Sequence, residues 1–286
     1  MSGASYYVPA KSHWPILGSV AVGLLMVGLG YQLVYGSATL LIAIGFLSIL
    51  AVMGFWFRDV INESQLGLYD NQMDRSFRWG MGWFIFSEIM FFAAFFGALF
   101  YVRTFAIPWL GGEGAKGVSA LLWPDFIAEW PLLNPPDSSV SGPDNVFSPW
   151  QLPLVNTLLL VTSSITLTIS HEALKSGYRK LCRNWLAGTV LLGTCFIFIQ
   201  GVEYYEAYQH YGITLEAGIF GSTFFILTGF HGVHVIIGTL ILVAMLVRII
   251  RGHFSDSQHF AFEASCWYWH FVDVVWLGLF IFVYVV

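Results

Sequence analysis

Charge is what this sequence has least of. Asp, Glu, Lys and Arg make up 10% of its 286 residues, against about 25% in soluble domains. That excludes a soluble enzyme and a disordered chain. Basic residues are the scarcer sign, 12 Lys and Arg against 17 Asp and Glu for a net charge of −5. Phosphate backbones would find no electrostatic footprint here, which excludes a nucleic-acid binder. Cysteine is nearly absent: Cys182, Cys195 and Cys266 stand far apart with no C-x-x-C, so no zinc ribbon, iron–sulfur run or disulfide framework is available. They read as small buried apolar residues. No Gly-rich phosphate loop supports ATP coupling, no nucleophile sits beside a base, and no inverted repeat or pair of broken helices suggests a transporter. The N-terminal stretch MSGASYYVPAKSHWPILG carries one Lys and no small-residue cleavage site, unlike a secretory signal.

What fills the sequence is apolar: 57% hydrophobic residues, 18% aromatic and a mean hydropathy of +0.71. A membrane-crossing helix needs roughly 20 apolar residues. Seven stretches qualify, near 15–35, 38–57, 80–105, 154–171, 185–205, 218–247 and 262–286. The expected fold class is therefore an all-α membrane protein of seven transmembrane helices. The turn at Gly36-Ser37 is so short that the first two should form a hairpin (residues 1–57). The other five should form a bundle (residues 78–286), interrupted by one long, Pro-rich outer loop at 106–153. This loop reads as a spacer or a binding surface, the spacer being favoured.

With the N-terminus inside, the inner segments hold Lys11, Arg58, Arg75, Arg78, Lys175, Arg179, Lys180, Arg183, Arg248 and Arg251. The outer segments hold only Arg103 and Lys116. Such a bias orients the chain N-terminus in and C-terminus out.

Ionisable residues inside a span are expensive and need a reason. Glu88 lies two turns into the third span with nothing in its vicinity in sequence to neutralise it. Either burial keeps it protonated or another helix supplies a partner. A proton-handling or lipid-facing carboxyl and a structural hydrogen bond are both open. His231 and His234 in GFHGVHV, and His270 and Asp273 in WYWHFVDVV, are each three apart and share a helix face. Glu203 lies near the outer end of the fifth span. This set could ligate a metal or haem or form an interhelical hydrogen-bond network. The network is favoured, because no Cys and no second His pair complete a ligand set. At the inner face, Arg58, Asp59 and Glu63 follow the second span, and Arg248, Arg251 and His253 follow the sixth. Helix anchoring is the simpler role, and binding of anionic lipid head groups is the other. Ala93/Gly97 and Ala94/Ala98 predict close helix approach on the third span, and Thr162, Ser163, Thr166 and Ser170 a bonding side on the fourth. Phe91, Phe92, Phe95 and Phe96 read as packing or lipid-facing bulk.

Six blocks, in order, closely resemble the subunit III family of the haem–copper cytochrome c oxidases: FRDVINES (57–64), RWGMGWFIFSEIMFF (78–92), PLVNTLLLVTSS (153–164), QGVEYYEAY (200–208), GSTFFILTGFHGVHVIIGTL (221–240) and FEASCWYWHFVDVVWL (262–277). The resemblance implies seven helices, the first two set apart from the other five by a V-shaped, lipid-filled cleft. It implies a non-catalytic subunit of a proton-pumping oxidase of aerobic respiration. Such a subunit flanks subunit I, supports proton uptake and protects the complex from inactivation during turnover. No cofactor is expected in this chain; haem A and copper belong to partner subunits I and II, and cytochrome c is the donor. Bound phospholipids are expected. Residue by residue, Glu88 matches a buried, carbodiimide-reactive carboxyl, Glu63 a lipid contact, and Arg248 with His253 an anionic head-group pair. His231, His234, Glu203, His270 and Asp273 match structural intramembrane polar positions; no residue is catalytic and none binds metal. Many members carry His where this chain has Tyr69-Asp70, which puts that lipid contact in question. The expected location is a bacterial plasma membrane, or alternatively the mitochondrial inner membrane. An ion-coupled transporter using Glu88, His231, His234 and Asp273, and a quinol-oxidase subunit, are the rival readings; the related quinol subunit typically has five helices.

Overall fold

The computed structural model describes residues 7, 11–114, 117–137, 139–256 and 258–286. Lys116, counted above among the outer charges, lies outside them. Helices are the regular structure of the described residues, with no strand among them. Among the described residues, seven helices are long and apolar enough to cross a membrane. They comprise α1 (Trp14–Tyr35), α2 (Thr39–Gln65), α3 (Asn71–Tyr101), α6 (Leu152–Lys175), α7 (Arg179–His210), α8 (Gly218–Ile250) and α9 (Phe260–Leu279). Short helices α4 (Ile107–Leu110) and α5 (Ser119–Leu122) lie between α3 and α6. Single π-helical turns, Val102–Ala106 and Phe280–Val285, extend α3 and α9.

Most helices outrun their apolar stretches. The α2 helix continues past Phe57 to Gln65, and α3 begins at Asn71 rather than near Gly80. Hydropathy marks where lipid would end, whereas backbone hydrogen bonding carries on into polar sequence. Asp70 begins α3: its Oδ1 accepts the Met73 N–H at 2.8 Å, an N-cap interaction.

The chain divides into two compact units, Met1–Trp79 and Gly80–Val286. In the first, Gly36 at φ +71° ends α1, donating to the Gln32 carbonyl, while Gln32 Oε1 accepts the Ala38 N–H at 2.6 Å. One residue thus closes both sides of the turn. Two glycines then let α1 and α2 touch. A Cβ at Gly28 would stand 3.0 Å from the Ile42 nitrogen, and one at Gly45 2.5 Å from the Leu25 nitrogen. Gly45→Val is expected to force these backbones apart at about 1–3 kcal/mol. A thermal or denaturant midpoint unchanged by the substitution would contradict that.

The core of the second unit is set by a repeat on α9. Phe262, Trp269 and Trp276 are seven apart, at most 1% exposed, and face α6 in antiparallel register. Phe262 packs against His171, Trp269 Nε1 donates to Ser163 Oγ at 2.9 Å, and Trp276 Nε1 donates to Thr157 Oγ1 at 3.0 Å. The two indoles therefore fit over small hydroxylated residues, and each indole N–H is satisfied as burial requires. Gly193 of α7 and Gly238 of α8 make room for the middle ring: a Cβ there would meet Trp269 at 2.7 and 2.9 Å. The hydroxyl side of α6 also bonds α7, through Thr166 to Thr189 at 2.8 Å and Ser170 to the Cys182 carbonyl at 2.8 Å. Thr162 faces outward instead.

The small residues of α3 do not make the close approach their spacing suggests. Ala93, Ala94, Gly97 and Ala98 are exposed, and nothing lies within 4 Å of a Cβ at Gly97. Phe92 is 2% exposed, and Phe91, Phe95 and Phe96 pack against the core. Bulk, having more apolar area to bury, takes the inward face.

The segment after α3 is not a loose spacer. Trp130 lies against Phe220 and beneath the Arg103 guanidinium, 5.4 Å from the ring centre. Phe147 packs with Ile213, Phe220 and Phe224 in a second apolar cluster. Arg103 also holds the last turn of the chain, donating to the carbonyls of Phe282 at 3.2 Å and Val286 at 2.7 Å.

Candidate functional site

Glu88 has a partner that its sequence neighbours could not supply. His234 Nε2 of α8 lies 2.9 Å from Glu88 Oε2. The other ring nitrogen, Nδ1, is 2.6 Å from the Phe230 carbonyl. A carbonyl only accepts, so Nδ1 carries a hydrogen. A single proton is then left to the Nε2···Oε2 contact, whether held by the acid or by the imidazole. In either form the pair is neutral overall, which is how an acid and a base coexist in apolar surroundings. Phe91 and Phe92 flank the imidazole ring, and the Tyr268 hydroxyl donates to the His234 carbonyl at 3.4 Å. The Glu88 side chain keeps 22% of its surface open, so the protein itself buries it only in part.

The other intramembrane polar residues go to separate places. His231, 1% exposed, donates from Nε2 to the Val272 carbonyl at 3.2 Å, meets Phe196 edge-on and lies tilted against Trp276. His270 Nδ1 lies 3.1 Å from Ser164 Oγ, with Asp273 beside the same serine. Glu203 is fully buried near Tyr284. These groups are spread over different helix contacts. Among the described residues no three His, Cys, Asp or Glu converge as a metal site.

Glu63, at the end of α2, is held by phenols. Tyr69 donates to Oε2 at 2.8 Å and Tyr7 to Oε1 at 3.3 Å. Partial burial, then the hydrogen bond to Glu63, push the Tyr69 hydroxyl up from its ordinary range, so it remains a donor. In this chain, then, Tyr69 engages Glu63 and Asp70 caps α3.

The R-x-x-x-x-H spacing of Arg248 and His253 has a backbone cause. Gly252, at φ +80°, donates to the Ile249 carbonyl at 3.1 Å, and His253 donates to the Arg248 carbonyl at 3.0 Å. This is the double bond of a Schellman turn, and it folds the sixth residue back over the first. Arg179 of α7 braces the turn by donating to the carbonyls of Gly252 at 3.4 Å and Phe254 at 2.5 Å. Arg248 lies over the Phe254 ring at 4.3 Å, and its Nε has no hydrogen-bond partner within the protein. Burial lowers the His253 pKa, and the charges of Arg248 and Arg251 lower it further. The turn is a concentrated positive site.

Comparison with known proteins decides the family. The model of the family "Cytochrome c oxidase subunit III" matches residues 4–134 and 139–286. The chain belongs to that family. It is 40% identical over 281 residues to "Cytochrome c oxidase subunit 3" of Gadus morhua, covering 98% of this chain and 96% of that protein. The protein of that name from Tetraodon nigroviridis is also 40% identical, and that from Prototheca wickerhamii 41%, each with the same coverage.

As a subunit III, the chain is part of an oxidoreductase complex of the respiratory chain, and partner oxidase subunits are implied. Sequence reasoning gave no bonding role to Tyr7, Tyr69, Ser164 or Arg179 in the sites of this subunit III. The heptad of Phe262, Trp269 and Trp276, by contrast, is a periodic signal present in the sequence. A phenol or hydroxyl gives no periodic signal.

Proposed function

We propose that this subunit III is a non-catalytic, lipid-holding subunit of a proton-pumping cytochrome c oxidase. It binds phospholipid, flanks subunit I, supports proton uptake at the inner face and keeps the complex from inactivating during turnover. Haem A and copper sit in subunits I and II, and cytochrome c delivers the electrons. The N-terminus lies inside, in a bacterial plasma membrane or alternatively the mitochondrial inner membrane. The observation that carries the lipid reading is the braced turn at Arg248 and His253. A guanidinium with unfilled hydrogen-bonding capacity, next to Arg251 and a neutral imidazole, matches the needs of an anionic head group. Glu63, held by Tyr7 and Tyr69, is a second head-group contact. The neutral Glu88–His234 pair keeps a protonatable group in an apolar span without net charge, and His231, Glu203, His270 and Asp273 serve the interior of the bundle.

Two measurements test this reading. Oxidase isolated without the chain should start near normal rate and lose activity progressively over successive turnovers. Full activity through prolonged turnover would overturn the proposal. Lipid phosphorus retained by the intact complex should fall on Arg248→Gln and should depend on pH in a defined direction. An anion beside His253 offsets the arginine charges and draws the histidine pKa back up, so protonation and binding favour each other. Retention should therefore increase as pH falls below the ordinary histidine range. His253→Gln should flatten that dependence; an unaltered pH profile in the variant would refute the link.

A further inference from the structure

The inward stripe of α7 carries two polar residues near its outer end, Gln200 and Glu203, 5% and 0% exposed. On α6, Asn156 is likewise 0% exposed. The contacts Thr166–Thr189 and Ser170–Cys182 show that α6 and α7 run antiparallel. Followed ten residues from Thr166 back to Asn156, that register brings Asn156 level with the turn holding Gln200 and Glu203. The Tyr284 hydroxyl, on the π-helical turn after α9, stands beside both Gln200 and Glu203. The surroundings are apolar: Trp276 and Phe224 pack on the Tyr284 ring, and the Trp276 N–H is already given to Thr157.

Tyr284 Oη stands close enough to Glu203 and Gln200 to give its one proton to either; beyond that single bond the protein supplies no partner for Asn156 Nδ2 and Oδ1 or for the remaining polar atoms of Gln200 and Glu203. Native proteins rarely leave such groups unpaired. The one phenolic proton can serve a single acceptor, so Tyr284 alone cannot satisfy the layer. Among the described residues no Lys, Arg or His lies within 4.0 Å of Glu203. A bound cation would suit the oxygens but not the amide and phenol donors. The ligand must therefore donate and accept, and must be small. That describes water, which typically makes about three such bonds when buried.

We propose that the second unit of this chain holds a built-in water site, ligated by Asn156, Gln200, Glu203 and Tyr284 between α6, α7 and the last turn of the chain. The water bridges three elements far apart in sequence and fills the hydrogen bonds that Tyr284 alone leaves open.

The test is a density map of the intact oxidase at a resolution that shows ordered water in the partner subunits. At least one solvent peak is expected within about 3.2 Å of atoms from two or more of these side chains. No peak, with the side chains turned onto one another in direct hydrogen bonds or separated by apolar contact, would overturn the proposal. In the Gln200→Leu complex the peak should be lost; its persistence unchanged would overturn the assignment of ligands. The wild-type map decides the matter even if that variant fails to assemble.

Discussion

Replacing Trp269 by alanine is expected to destabilise the second unit by about 3–5 kcal/mol, the cost of a large cavity in a close-packed core. The ring is 0% exposed and three helices are shaped to it: Ser163 of α6 accepts its N–H, and Gly193 and Gly238 admit its edge and face. Little of that space can collapse, because helix backbones line it. Trp269→Phe should cost less, since Ser163 Oγ keeps its bond to the Leu160 carbonyl and only part of the ring volume is lost. Denaturant titration of the solubilised complex, read by helicity, checks both. A loss under about 1 kcal/mol for the alanine variant would mean that the glycine-lined slot is not what holds α9.

The second large effect concerns Glu88 and His234, which share one proton across 2.9 Å. Removing one member leaves the other unpaired in a low-dielectric span, an expected cost of about 1–3 kcal/mol. His234→Leu and Glu88→Leu should each show it, and the double variant should recover most of the loss, because no polar group then remains to be paired. Glu88→Gln should be nearly neutral: its amide can still donate to Nε2, as a protonated acid would. Thermal midpoints of the four complexes give the coupling energy directly. Strict additivity of the two leucine substitutions would show that the contact carries no interaction energy.

Much of the chain was legible in advance. Seven spans, the family blocks, and the unusual positions Glu88, Glu203, His231, His234, His270 and Asp273 are all visible as local features: runs of hydropathy, or polar residues interrupting them. Cost is what makes them visible, since an ionisable group in a span stands out whatever it touches. The misreadings have a common origin. Ala93 and Gly97 have the spacing of a packing face but lie outward, because burying the phenylalanines on the opposite side of α3 gains more. The 106–153 segment has a spacer's composition, yet Phe147 buries itself on the bundle and Trp130 packs partly buried beside it.

The sequence by itself determined the class, the number of spans and the family, because hydropathy sums over consecutive residues and family motifs are contiguous strings. Tertiary structure alone decided the pairings. Glu88 finds His234 146 positions away, Ser163 finds Trp269 at 106, and Arg248 meets His253 only because a glycine in the left-handed region folds the chain back. Each pairing depends on two distant helices arriving at one depth and one rotation, set by glycine notches and ring volumes elsewhere in the core, and no single segment carries that information.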